Sequence, residues 1–233
     1  MKRVSLNIVM IGPPGAGKGT QAERICRAYG IPKISTGEIL RDAVNEGTSL
    51  GRQVGKTIAA GKLVSDSIMI RVVQDRLQRP DVAAGYVLDG FPRTVAQAKA
   101  LDRMMEGRGP IIAVVISVPD EELARRLSQR RICGDCGATY GALGPTGSPD
   151  AGRCSRCGGV LVQRQDDNCE VVVQRLKVFT DMTEPLIEYY RQRPTFASID
   201  GLKSPERVTE DLKAAVEVGL AVAKDGGRGR ARV

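Results

Sequence analysis

Gly12-Pro13-Pro14-Gly15-Ala16-Gly17-Lys18-Gly19-Thr20 is the stretch on which the fold turns. Before it, Val4 to Ile11 is apolar and rich in β-branched residues without helical spacing, the pattern of a buried parallel strand. After it, Gln21 to Ala28 reads as a helix. A glycine turn that joins a strand to a helix N-terminus gathers unpaired backbone N–H groups and the positive end of the helix dipole, and so favours anions. Gly12, four residues and then Gly17-Lys18 is the spacing of a P-loop, in which the bare backbone approaches phosphate oxygens and Lys18 reaches the β- and γ-phosphates. A glycine-rich surface turn is the plain alternative, and the strand before and helix after argue against it. Where Ser or Thr commonly ligates Mg²⁺ the chain has Gly19, with Thr20 behind it, so the metal must be held differently.

Composition bounds the rest. A chain of 233 residues suits one α/β core with insertions, and three Phe with no Trp leave that core aliphatic. No apolar run is long enough to span a bilayer, and Met1-Lys2-Arg3 leads into the strand without a cleavage pattern, so a cytoplasmic protein with no membrane contact is expected. The net charge is +8, of which residues 224–233 supply +3. Nucleotides satisfy such a surplus, and nucleic acid is not required.

Beyond the first helix, Ile31 to Ser35 is a short strand candidate, and Thr36 to Arg41 begins a helix capped by Ser35 or Thr36. A second helix is expected from Leu50 to Ala60, closed by Gly61. Residues 35–64 thus form a helical insertion in which Thr36 and Arg41 offer a hydroxyl and a guanidinium to a phosphorylated ligand, unless Arg41 is merely solvated. A helix from Ser65 to Arg79 follows, and Tyr86 to Leu88 reads as a core strand with Asp89 at its carboxyl end. Open α/β sheets bind ligands at that end, and an acidic residue there resembles the Walker-B device for Mg²⁺. Capping the following helix or turning the loop is the other role open to Asp89. Arg93 stands behind Pro92, with Gln97 one helical turn on.

Ile111 to Ser117 is a continuous apolar strand, and the helix opened by Pro119 and Asp120 carries Arg125, Arg126, Arg130 and Arg131. Four-residue spacing predicts that Arg126 and Arg130 share a side. From Arg131 to Asp167 the texture changes to Gly, Cys and turn residues. Cys133, Cys136, Cys154 and Cys157 form two C-x-x-C pairs separated by 17 residues, the spacing of a Cys₄ zinc ribbon. Two disulfides are the rival reading, disfavoured in a reducing compartment, and iron is chemically possible. Cys26 and Cys169 read as free thiols. A long helix is expected from Asn168 to about Arg191. If Arg164 and Arg175, eleven apart, both lie on helical backbone, they point the same way. Thr195 to Ile199 closes the strands and Pro205 to Ala223 the helices, and a disordered tail is expected at 224–233.

At this point the chain resembles the adenylate kinases, specifically the long bacterial type with a zinc-bearing lid. The resemblance covers nearly everything except the tail. It rests on Gly12 to Thr20, Ser35-Thr36-Gly37, Gly61-Lys62-Leu63-Val64, Leu88-Asp89-Gly90-Phe91-Pro92-Arg93, Arg130-Arg131, Arg164-Gln165-Asp166-Asp167-Asn168 and Arg175-Leu176, in family order. Gly19 is itself the family's form of the loop. The gap between the cysteine pairs, one residue longer than common, and Cys169 after the Asp166-Asp167-Asn168 signature are mild departures.

The resemblance implies an α/β P-loop core, a parallel sheet flanked by helices, at 1–34, 65–128 and 168–223. It adds a helical insertion that binds the monophosphate at 35–64, a zinc-ribbon lid at 129–167 and the tail at 224–233. It implies that Gly15, Ala16, Gly17, Lys18, Gly19 and Thr20 cradle the ATP phosphates, with Arg126, Arg130, Thr139, Tyr140 and the backbone near Lys203 as further ATP contacts. AMP falls to Thr36, Arg41, Lys62, Leu63, Val64, Gly90, Phe91, Pro92, Arg93 and Gln97, with Arg41 and Arg93 on its phosphate and Gln97 on the adenine edge. Arg164 and Arg175 stand between the two nucleotides, and Asp89 orients Mg²⁺ through water. Lys18, Asp89, Arg93, Arg130, Arg164 and Arg175 form the implied catalytic set, with Zn²⁺ on the four cysteines, and a monomer is expected.

The implied reaction is ATP plus AMP giving two ADP. The nucleophile, an AMP phosphate oxygen, is already ionised and needs no general base, which agrees with a chain that contains no histidine. A kinase for another monophosphate, or one using GTP as donor, is the nearer alternative, against which Thr36 and Gln97 argue for adenine. A zinc-ribbon nucleic-acid binder is the distant one. Between Cys136 and Cys154 it would have only Tyr140 for stacking and Arg153 for phosphate.

Overall fold

The computed structural model describes residues 5–141 and 152–228. The readings made on Met1-Lys2-Arg3 and Val4, on residues 142–151 of the expected lid, and on 229–233 lie outside the described residues.

Five parallel strands form the central sheet: β1 (Leu6–Ile11), β2 (Lys33–Ser35), β3 (Gly85–Asp89), β4 (Ile111–Ser117) and β8 (Phe196–Asp200), in the order β2-β3-β1-β4-β8. Three further strands, β5 (Arg131–Cys133), β6 (Thr139–Tyr140) and β7 (Leu161–Val162), make a separate antiparallel sheet in the order β6-β5-β7.

Side chains alternate across the central sheet, so each strand feeds two cores. Val9 and Ile11 of β1, with Ala113 and Val115 of β4, face one apolar layer with Leu88, Phe91 and Leu101. Ile8 and Met10, with Ile112, Val114 and Ile116, face the other. That layer is covered by α1 (Lys18–Tyr29) through Ala22 and Ile25, by α6 (Asp120–Gln129) through Leu123, and by α9 (Pro205–Arg228) through Val208, Leu212 and Val216. Burial on both faces explains why β1 and β4 are mostly apolar instead of alternating with polar residues; Asn7 in β1 is buried and bonded through Nδ2 to Ser5 Oγ (3.0 Å), and Ser117 at the end of β4 is exposed. Each fully buried Ile or Leu contributes about 1.5–3 kcal/mol.

The chain leaves β1 and places β3 on one side of it and β4 on the other. Such a switch point opens a crevice at the carboxyl ends of the strands. Met10 pairs with Asp89 across β1 and β3, so the loop after β1 and the end of β3 face the same crevice. The insertion consists of α2 (Thr36–Asn45), whose cap Ser35 accepts from Glu38 N–H, and α3 (Ser49–Ala59), whose cap Thr48 accepts from Gly51 N–H. It is followed by α4 (Asp66–Arg76), and α5 (Val95–Met104) begins after the cis Phe91–Pro92 bond.

Four expectations differ from the structure. Helix α6 stops at Gln129: Arg130 is extended and Arg131 enters the lid sheet through β5, so Arg126 and Arg130 do not share a helical face. Arg164 is extended ahead of a 3-10 turn (Gln165–Asp167), so it and Arg175 are not on one helical segment. The long helix is α7 (Cys169–Val178), a π-turn (Phe179–Thr183) and α8 (Glu184–Arg191). Pro185, at the start of α8, has no N–H and its ring crowds the carbonyl four residues back, which the wider π-turn relieves. Finally, α9 continues to Arg228, so 224–228 is helix rather than a disordered start of the tail. Among the described residues no helix is long and apolar enough to cross a membrane.

Candidate active site

The loop after β1 needs glycine where its backbone turns. Gly17, the residue before α1, has φ +91°, and a side chain at Gly12 (φ +153°) would meet the Ile116 carbonyl at 2.6 Å. Helix α1 therefore begins at Lys18 with its N-terminal N–H groups facing the crevice and no side-chain cap. Lys18 Nζ donates to the carbonyls of Gly12 (2.8 Å) and Pro13 (2.9 Å), at the mouth of the loop.

Cations converge there. Burial pushes the Lys18 ammonium down to about 8; the Asp89 carboxylate opposes the fall, and the charges of Arg93, Arg175 and Arg130 add to it. Arg93, although exposed at the cavity wall, is lowered too, by partial desolvation, helped by Arg175 and Arg41 and opposed by Asp89 and Asp166. Arg164 is lowered to about 10 by burial and by Arg130 and Arg41, and its Nε is a buried donor without a partner. Lys18 and these five arginines face three carboxylates, Asp89, Asp166 and Asp167. Such an excess of half-buried cations in a crevice suits a polyanion.

Asp167 is buried at the hub of the cluster. It takes both Arg130 Nε (2.7 Å) and Arg130 Nη2, and Arg175 Nη1 at 2.9 Å. Arg175 Nη1 also donates to the Asp166 carbonyl at 2.8 Å. Burial alone would raise Asp166, but Arg175, Arg130, Arg41 and Arg164 hold it below the usual carboxylate range. Asp89 does not cap α5, because Thr94 does. Its Oδ2 instead faces Gly19.

A cavity opens beside the cluster between the insertion and the core. Thr36, Arg41, Lys62, Leu63, Val64, Gly90, Arg93, Gln97 and Arg175 line it, joined by Gly37, Gly61 and Asp166, which the sequence motifs contain without a site role, and by Leu40, Ile58 and Met69, which the sequence did not single out. Thr36 Oγ1 and Arg93 Nε both donate to the Gly90 carbonyl at 2.9 Å, so the two side chains meet on one turn. Gln97 is buried, accepting at Oε1 from Arg93 N–H (2.8 Å) and donating from Nε2 to Asp66 Oδ1 (2.7 Å). Asp66 was missed because an acid in the first turn of a helix is fully explained by the dipole. Gly61 abuts α7: a side chain there would meet Val171 at 2.9 Å and Arg175 at 3.0 Å.

Other expected residues stand elsewhere. Phe91 is fully enclosed in the core, and of its stretch only Gly90 and Arg93 reach the cavity wall. Arg126 donates to Glu122 (2.7 Å) and to the Gly201 carbonyl (2.9 Å), tying α6 to the loop before α9. Lys203 pairs with Asp211 at 2.7 Å. Thr139 Oγ1 accepts from Arg164 at 3.3 Å, whereas Tyr140 turns its hydroxyl to Cys154 Sγ (3.1 Å) and Ser155 Oγ (3.2 Å).

The Sγ atoms of Cys133, Cys136, Cys154 and Cys157 all lie within 4.8 Å of one another. Cys133 and Cys157 are 3.4 Å apart and Cys136 and Cys154 3.5 Å, far beyond an S–S bond of ~2.05 Å. Four thiolates about 2.3 Å from one tetrahedral ion stand roughly 3.8 Å apart, so the quartet could hold a metal. The N–H groups of Cys136 (3.5 Å) and Arg156 (3.3 Å) point at Cys133 and Cys154 sulfurs, the orientation that supports thiolate ligands.

A family model described as adenylate kinase matches residues 10–195. A protein named adenylate kinase from Archaeoglobus fulgidus is 46% identical over 214 residues, 91% of this chain and 98% of the relative. Those of the same name from Methanothrix thermoacetophila and Syntrophobacter fumaroxidans are 48% and 49% identical, over 89% and 87% of this chain and 96% of each relative.

Proposed function

The chain belongs to the adenylate kinase family and transfers a phosphoryl group from ATP to AMP to give two ADP, and from that premise we propose which of its residues carry the reaction. AMP sits in the cavity between insertion and core, its phosphate on Arg41 and Arg93 and its base against Gln97. The ATP phosphates lie on Gly15 to Thr20 and Lys18. An AMP phosphate oxygen attacks the γ-phosphorus, the bond from that phosphorus to the β–γ bridging oxygen breaks, and ADP leaves on the far side. Lys18, Arg130, Arg164 and Arg175 take up the charge that spreads over the transferred group. The convergence of Lys18 with Arg93, Arg130 and Arg175 at the cavity's edge carries this reading.

Adenylate kinases use Mg²⁺ with ATP, and the ion supplies charge neutralisation on the β- and γ-phosphates when bound. Asp89, beside Gly19, is the residue to hold it through water. Residues 35–64 serve as the acceptor-binding insertion and 129–167 as the lid, with the core at 1–34, 65–128 and 168–223. Excluding water from the crevice between them prevents hydrolysis of ATP. Cys133, Cys136, Cys154 and Cys157 hold a structural Zn²⁺ that staples a lid too small for a core of its own. Unbridged cysteines suit the reducing cytoplasm, and the reaction as read needs neither a second subunit nor nucleic acid.

A coupled assay across monophosphate acceptors and triphosphate donors, with bound metal quantified on the same sample, tests the reading. ATP with AMP should be the fastest pair, with one zinc per chain. A faster pair with another acceptor or with GTP overturns the adenine assignment.

A further inference from the structure

Gln97 is held at both ends of its carboxamide. Oε1 accepts from Arg93 N–H at 2.8 Å, and Nε2 donates to Asp66 Oδ1 at 2.7 Å. The other carboxylate oxygen of Asp66 accepts from Thr94 Oγ1 at 3.0 Å, and Thr94 Oγ1 in turn accepts from Gln97 N–H at 3.2 Å. A closed ring of hydrogen bonds thus joins the first turn of α4, just beyond the Lys62 to Val64 wall, to the first turn of α5.

The ring allows one amide orientation. Reversing it would set Oε1 against the Asp66 carboxylate and turn the NH₂ toward the Arg93 N–H, leaving two buried mismatches. Each end of the amide keeps spare capacity, one N–H and one lone pair, on a residue that lines the cavity. Adenine offers a ring-nitrogen acceptor beside an exocyclic N–H donor, which suits an amide of fixed polarity. Hypoxanthine offers the same two positions with donor and acceptor exchanged, which suits only the reversed amide.

We propose that Asp66 is a positioning residue for acceptor selectivity: it fixes the polarity of the Gln97 carboxamide so that a 6-amino purine monophosphate is accepted and a 6-oxo one refused. The proposal rests on the reading that Gln97 meets the base of the acceptor nucleotide. A site built to satisfy one donor–acceptor pattern rejects the exchanged one, because its own polar groups are then left unpaired.

The test is steady-state kinetics of the full chain with AMP and with IMP as acceptors, for Asp66→Ala, Asp66→Asn and Gln97→Leu. Asp66→Ala should raise the KM for AMP about tenfold and cut the AMP:IMP ratio of kcat/KM at least ~tenfold, with the KM for ATP within about twofold. Asp66→Asn keeps one acceptor oxygen and should lose only about three- to fivefold in that ratio. An unchanged ratio in Asp66→Ala, with Gln97→Leu collapsing it, overturns the proposal and spares the reading of Gln97. An unchanged AMP KM in Gln97→Leu overturns that reading and the proposal with it. Equal losses for ATP, AMP and IMP would make Asp66 merely structural. If Asp66→Ala does not fold, Asp66→Asn decides: a ratio within about twofold of the parent overturns the proposal.

Discussion

Asp89 Oδ2 stands 3.5 Å from the point at which a side chain on Gly19 would begin. A carboxylate at the end of β3 therefore faces the space that a P-loop hydroxyl occupies in the general motif. A serine or threonine at position 19 would bring its own oxygen into that space, so the glycine and the carboxylate form a matched pair. Asp89→Asn keeps the shape and removes the charge. It should raise the Mg²⁺ concentration for half-maximal rate at least ~tenfold while the AMP KM changes less than about twofold. Rate measured against Mg²⁺ at fixed nucleotide concentrations checks this.

Lys18 is held as a cation in a place that disfavours cations, surrounded by Arg93, Arg175 and Arg130. Lys18→Met should lower kcat by roughly 10²–10³, the effect of removing one preorganised charge from a phosphoryl-transfer site. The fold should survive, with a Tm equal to or above that of the parent. Stopped turnover with an intact thermal transition is the expected pair of results, and wild-type-like turnover would refute the assignment.

The same residue sets a pH dependence. Its ammonium is pushed down from 10.5 to about 8, so between those values the unfolded chain binds the proton and the folded chain does not. Its contribution to stability therefore rises as pH climbs through that window, and below it the charged form is a penalty. The stability gap between Lys18→Met and the parent should narrow from pH 8 to 10. Activity should move the other way, with kcat/KM for ATP falling above pH ~8 as free enzyme loses the charge that attracts phosphate. Lys18→Arg should flatten the profile, and pH–rate curves for the two chains check it.

Asp167 is buried and answers two guanidinium groups, those of Arg130 and Arg175. Asp167→Ala leaves both half-buried guanidinium groups without that anion, with Asp166 still beside Arg175, which should lower unfolding stability by about 2–3 kcal/mol. If the proposed site is right and nucleotide phosphates meet the same arginines, saturating ATP and AMP should restore part of the lost Tm. Thermal unfolding with and without nucleotides measures both effects.

Metal removal should separate the lid from the core. Chelation, or Cys136→Ser, should abolish stoichiometric zinc and raise the protease sensitivity of residues 129–167. The core, which has its own two apolar layers, should keep a cooperative transition. Limited proteolysis with mass analysis of the fragments reads this out.

Much of this was legible in local signals. A mostly apolar strand, a glycine turn and a helix start specify the strand–loop–helix unit, because backbone sterics and the helix dipole act over a few residues. Two C-x-x-C pairs foretold that four sulfurs gather within 4.8 Å of one another, because thiolate geometry leaves few other uses for the spacing. The ends of helices beside the lid were less legible. Arg130 and Arg164 leave helical backbone because the lid sheet claims their neighbours, and pairing between Arg131 and Tyr140 has no local signature.

The sequence alone determined which groups the chain brings: a loop with P-loop spacing, a set of arginines, a carboxylate at the end of a strand and four sulfurs, each announced by residue type and short spacing. The tertiary structure decided which of these groups meet. It joined Asp167 to both Arg130 and Arg175, turned Tyr140 toward the sulfurs instead of the crevice, and set Asp66 against Gln97 from 31 positions away. The physical reason is range: propensity and spacing act within a turn or two, whereas the partner of a buried polar group is chosen by the packing of distant elements.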